Sequence, residues 1–124
     1  MKSEYTGLKR ILKAFSYSWN GFVAAFKSEA SFRQDVAFCA IAGIVLCLLP
    51  LSGVQLAFLI FSLFLILLME LINTAIESVV DRIGEEYHLL SKKAKDIGSL
   101  LVFLAFTHFF VAALIILYPL FGEN

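Results

Sequence analysis

Three observations predict an all-α integral membrane protein, with three transmembrane helices preceded by an N-terminal amphipathic surface helix. First, 60% of the 124 residues are hydrophobic and 13 are Phe, a composition too apolar for a one-domain soluble globule. Second, no charged residue occurs from Val36 to Met69 or from Ile97 to Gly122. The first run is long enough for two membrane crossings joined by a hairpin at Pro50, Ser52 and Gly53, and the second for one more. Third, all ten Lys and Arg fall in two blocks, Lys2 to Arg33 and Arg82 to Lys95. Cytoplasmic flanks collect such residues, so both blocks and the N-terminus are expected inside, and the Pro50 hairpin and the tail at Glu123 outside.

The elements follow in order. Leu8, Ile11, Leu12, Phe15, Trp19, Phe22 and Phe26 recur at spacings of three and four and form one stripe of a helix expected over 6–28. Lys9, Arg10, Lys13, Asn20 and Lys27 occupy its other faces, which suits a helix lying in the cytoplasmic interface with Trp19 near the headgroups. These first residues lack a continuous apolar core, so no cleaved signal is expected. The first crossing is expected over 32–49, opened by a capping box from Ser31 to Gln34. Its Cys39 and Cys47 are expected as buried, reduced thiols. The second crossing, with a cytoplasmic extension, is expected over 54–84, a polar loop over 85–95 and the third crossing over 96–119. His108, deep in that last run, is expected to be a hydrogen-bonded packing residue.

Carboxylates at the end of an apolar helix are out of place unless they do something. Glu70, Asn73, Glu77 and Asp81 fall within an arc of roughly 80° on a helix. A carboxylate facing lipid costs several kcal/mol, so this face is expected to turn inward toward a cation, a basic side chain or water. Asp81 lies near the water surface and is expected to pair with Arg82 or Lys95. Glu70 has no such local partner: the uncharged stretch Leu56 to Met69 precedes it, and the next positive charge is Arg82.

Carboxylates beside an amide suit Mg²⁺, which keeps waters and completes its shell with phosphates, so phosphoryl transfer fits the face. The sequence contains neither a GxxxxGK[ST] loop nor the HRD and DFG motifs of protein kinases, which excludes the conventional soluble nucleotide folds. Any kinase here must be built from helices. The polar segment Gly84 to Asp96 is placed to meet a soluble anion such as ATP, although Lys92 and Lys93 are expected to be solvated residues that fix topology.

The stretch ELINTAIESVVDRIGEEYHLLSKKAKDIGS, Glu70 to Ser99, resembles the signature region of the bacterial diacylglycerol kinases, a trimeric inner-membrane family unrelated to soluble kinases. RILKAFSYSWNG (Arg10 to Gly21) and EASFRQD (Glu29 to Asp35) are similar to that family's amphipathic helix and the entry to its first membrane helix. The resemblance covers most of the chain, and its ExxNxAxExxxD spacing is specific. It implies Glu70 as catalytic base, Glu29 and Glu77 as metal ligands for Mg²⁺, and Arg10, Tyr17, Glu29, Asn73, Glu77, Glu86, His88, Lys95 and Asp96 around the nucleotide ATP. It implies a diacylglycerol substrate against Phe15, Trp19, Phe32, Arg33, Gln34, Glu70 and Ser99, and a homotrimer with shared sites in the bacterial inner (cytoplasmic) membrane, its C-terminus periplasmic. No nucleic acid is expected as a partner.

Two other functions are compatible with parts of this pattern. Undecaprenol kinases share the fold and motif but phosphorylate a polyprenyl alcohol; the segment around Trp19 and FRQ favours the diacylglycerol branch. A small proton-coupled transporter would also use a membrane carboxylate. Its key acid belongs near the bilayer middle, however, whereas Glu70 lies toward the inner end of its helix, followed by an amide and a second acid.

Overall fold

In the computed structural model, which describes residues 6–122, the chain folds into four α-helices: α1 (Gly7–Ser28), α2 (Ala30–Cys47), α3 (Gly53–Ile83) and α4 (Leu89–Gly122). The tail position at Glu123 lies outside the described residues. The last three helices are long and apolar enough to cross a membrane, as the uncharged runs require. At about 1.5 Å per residue α2 matches a hydrocarbon core of about 30 Å, whereas α3, with 31 residues, is half as long again. The surplus carries the acidic face of α3 to the edge of the apolar zone.

Glu29 makes the joint between α1 and α2. Its extended backbone (φ −116°, ψ 107°) ends one helix and opens the next, and Arg33 seals the joint by donating from Nη1 to the carbonyls of Phe26 (2.6 Å) and Lys27 (3.1 Å). Those carbonyls have no partner within α1, so the guanidinium satisfies acceptors that a helix end otherwise leaves open. Helix α2 therefore begins at Ala30, and Ser31 lies inside its first turn rather than capping it. The capping box forms at the other hairpin end instead. Ser52 Oγ accepts from the Gln55 amide (3.1 Å), and Gln55 Oε1 accepts from the Ser52 amide (3.0 Å), which starts α3 directly after Pro50.

Helix α4 begins at Leu89, well ahead of the expected crossing, so much of the polar segment anticipated as loop is helical. His88 Nδ1 accepts the Leu90 amide (3.1 Å) and its carbonyl accepts the Lys92 amide (3.0 Å). An i,i+4 pair of Lys92 and Asp96 (2.6 Å) adds to the first turns. The connector shrinks to Gly84–His88.

The core lies between α2, α3 and α4. Cys39, Leu46, Leu59, Leu63, Ile66, Ala105, Phe109 and Ala112 are buried together, and Phe38 on α2 packs against Phe106, Phe109 and Phe110 on α4. Cys39 is buried as expected, but Cys47 is exposed at the end of α2; both are free thiols. His108 rests its ring on Phe58 at 5.6 Å. Among the described residues the expected hydrogen bond is not found at Nδ1, which is buried without a partner there. On α1 the predicted stripe is exposed, from Leu8 at 72% to Phe26 at 39%. Such a surface belongs in an interface and not in water.

Candidate active site

The acidic face of α3 runs from inside to outside. Glu70 is buried, Asn73 and Glu77 are half-buried, and Asp81 is exposed. The carboxylates along this face therefore occupy successively wetter positions.

At its inner end Glu70 is 5% exposed, and its Oε1 accepts a 2.6 Å hydrogen bond from Ser31 Oγ on α2. Such a bond to a carboxylate is short and strong, and it fixes the carboxyl plane. Asp35, one turn further along α2, is buried with its carboxyl facing Glu70. Its Oδ2 has no hydrogen-bond partner among the described residues. Two acids side by side in a low dielectric require a compensating proton or cation, so this end of the face is electrostatically unfinished.

The middle of the face is an amide–carboxylate pair. Asn73 Nδ2 donates to Glu77 Oε1 (3.2 Å), while Asn73 Oδ1 is buried with no partner among the described residues. Glu29, at the α1–α2 joint, makes no cap bond with its side chain, which leaves a half-buried carboxylate available to a ligand. Among the described residues no three metal-ligating side chains converge. A hard divalent ion that completes its shell with phosphate and water needs only one or two protein carboxylates.

At the outer end Lys95 Nζ pairs with Asp81 Oδ1 at 2.7 Å, the partnership expected for Asp81, and it ties the start of α4 to the end of α3. Asp96 is engaged by Lys92 and His88 caps α4; Glu86 is exposed in the connector. Arg10 and Tyr17 lie exposed on α1.

The residues expected to contact lipid divide in two. Phe15 and Trp19 are exposed on the α1 stripe, and Gln34 and Ser99 are exposed on α2 and α4. Phe32, also expected against the lipid, is 2% exposed, with its ring edge-on to Phe22 and Phe26. Its place directly after the joint turns it back under α1. Arg33, exposed overall, is engaged at the α1 terminus as described.

Ser31 and Asp35 are the members of the face that the sequence reading did not single out. Both belong to EASFRQD, and their i,i+4 spacing puts them on one side of α2. An acid immediately before the uncharged run at Val36 is the signal that marks Asp35.

The sequence is similar to that of a known family. Residues 16–117 match the family model described as prokaryotic diacylglycerol kinase. The chain is 43% identical to the diacylglycerol kinase of Escherichia coli strain K12 over 122 residues, covering 98% of this chain and 100% of that one. It is 50% identical to that of Pseudomonas aeruginosa over 102 residues, 82% of this chain and 83% of the relative. It is 42% identical to that of Haemophilus influenzae over 103 residues, 81% and 85% respectively.

Proposed function

The chain belongs to the prokaryotic diacylglycerol kinase family, and from that premise we propose that it is a bacterial membrane kinase that transfers the γ-phosphate of ATP to the hydroxyl of a 1,2-diacylglycerol, giving phosphatidic acid. The observation that carries the mechanism is Glu70: a buried carboxylate held by Ser31 at the end of a membrane-crossing helix. Ser31 holds one oxygen, and the carboxylate takes the proton beside the Asp35 carboxyl.

Glu70 accepts the proton of the lipid hydroxyl as that oxygen attacks the γ-phosphorus. The bond from phosphorus to the bridging oxygen breaks, and ADP departs with the negative charge. A diacylglycerol hydroxyl lies at headgroup depth and ATP arrives from water, so the base must stand where the two phases meet. Positioning and charge neutralisation then supply most of the rate. Glu29 and Glu77 would hold Mg²⁺, with Asn73 orienting Glu77, and the charge on the phosphates would be neutralised there. The half-buried Glu29 carboxylate, which makes no cap bond, supports this assignment.

Arg10, Tyr17, Glu86, His88, Lys95 and Asp96 surround the nucleotide, with Lys95 exchanging Asp81 for phosphate when ATP binds. Phe15, Trp19, Gln34 and Ser99 face the lipid. Arg10 and Tyr17 sit on a helix that approaches the bundle through its C-terminal joint with α2, which supports a site completed between subunits of a homotrimer. The basic blocks support a cytoplasmic N-terminus.

The test is Mg²⁺-dependent phosphorylation by the purified protein in mixed micelles, with dioleoylglycerol and undecaprenol offered side by side. Preferential formation of phosphatidic acid is expected. Equal or better use of undecaprenol overturns the substrate assignment and leaves the kinase chemistry standing.

A further inference from the structure

Gly98 is buried on α4 against α3. A β-carbon at this position would overlap the Asn73 side-chain oxygen and stand 3.2 Å from Asn73 Cγ, yet it would keep an ordinary 3.6 Å from the Asn73 α-carbon. The conflict is therefore with the amide and not with the α3 backbone. The same oxygen has no hydrogen-bond partner among the described residues, so the amide is held from its other end, where Nδ2 donates to Glu77 Oε1. Reversing the amide would set two acceptors against each other. Glu77 thus decides which end is which, and the bare α4 backbone supplies the volume that the oxygen fills.

We propose that Gly98 is a positioning residue of the active site, whose missing side chain seats the Asn73 amide so that Asn73 can hold the Glu77 carboxylate toward the metal–nucleotide. The inference rests on the roles assigned above to Asn73 and Glu77. A β-carbon at 98 forces the amide to swing out of its seat or α4 to move away from α3. Both responses withdraw Nδ2 from Glu77.

Four full-length proteins test this in detergent micelles: wild type, Gly98→Ala, Asn73→Ala and the double variant. Thermal unfolding reads the seat apart from the chemistry. Gly98→Ala should lower the melting temperature in the wild-type background and change it little in the Asn73→Ala background, where the overlapping atoms are gone. Activity reads the positioning. Gly98→Ala should raise the Mg²⁺ concentration for half-maximal rate by about tenfold, the scale of one lost hydrogen bond to a charged group, with KM for diacylglycerol unchanged.

A purely structural glycine would reduce rate with the folded fraction and leave the Mg²⁺ dependence in place, which overturns the proposal. So does an equal fall in melting temperature with and without the Asn73 side chain. If Gly98→Ala does not fold, the double variant decides: recovery of folded protein supports the seat, and continued failure overturns it. Wild-type activity and Mg²⁺ dependence in Asn73→Ala would remove the role assigned to Asn73, and the positioning claim with it. An additive thermal loss beside an impaired Asn73→Ala sinks the Gly98 seat alone.

Discussion

Ser31 shows how one hydroxyl can be read two ways. Its spacing to Gln34 is that of a capping box, and so is the spacing of Ser52 to Gln55. The second pair caps a helix and the first does not, because Glu29 takes the extended backbone at the α1–α2 joint and leaves Ser31 inside α2, turned toward Glu70. That partner is 39 residues away in sequence, a tertiary contact that no local pattern encodes. Glu70 itself was legible, since an acid at the end of an apolar run needs an explanation. The hydroxyl that holds it was not. Ser31→Ala removes the bond that fixes the carboxyl plane, so kcat should fall by about tenfold, the loss of one hydrogen bond to a charged group. Steady-state kinetics should show KM for ATP little changed; an unaltered kcat would remove Ser31 from the account.

Helices and their ends carry the next level. Substituting Ser52 by Ala removes the side-chain half of the α3 capping box, the Oγ acceptor for the Gln55 amide, and should reduce stability by about 1 kcal/mol, read by unfolding in detergent, with specific activity retained because the cap lies about five turns along α3 from Glu70. The Lys95–Asp81 bridge makes a contrasting case. Both side chains are well exposed, 44% and 64%, and exposed pairs contribute little to stability. If Lys95 serves the nucleotide, Lys95→Ala should raise KM for ATP several-fold, whereas Asp81→Ala should leave it within about twofold, the pair being weak. Matching losses in both variants would mean that the bridge, and not phosphate binding, is what Lys95 supplies. The start of α4 was not legible as helix because its first turns are polar and hold through His88 capping and the Lys92–Asp96 pair. The apolar runs that mark the crossings lie elsewhere.

For the whole molecule, the bilayer makes the architecture readable. Crossing lengths are set by the hydrocarbon thickness, so uncharged runs locate α2, α3 and α4 without knowledge of their contacts. Much of the surface that remains is apolar, Phe103 and Leu114 being 66% and 70% exposed, as expected for helices that meet lipid or neighbouring subunits. How the helices assemble a site was less legible, because it depends on the α1–α2 joint bringing Ser31 and Asp35 to the acidic face of α3. The resulting molecule holds a buried, oriented carboxylate on α3, which the proposed function uses as its base where a lipid hydroxyl and a water-borne nucleotide would meet.

The most direct test of that claim is transfer of labelled γ-phosphate from ATP to dioleoylglycerol by wild type and Glu70→Gln, a near-isosteric change that keeps an acceptor for Ser31 and removes the base. Labelled phosphatidic acid from the wild type and none above background from an equally well-folded variant is the predicted result. Full activity in Glu70→Gln would contradict the assignment of Glu70 as the base.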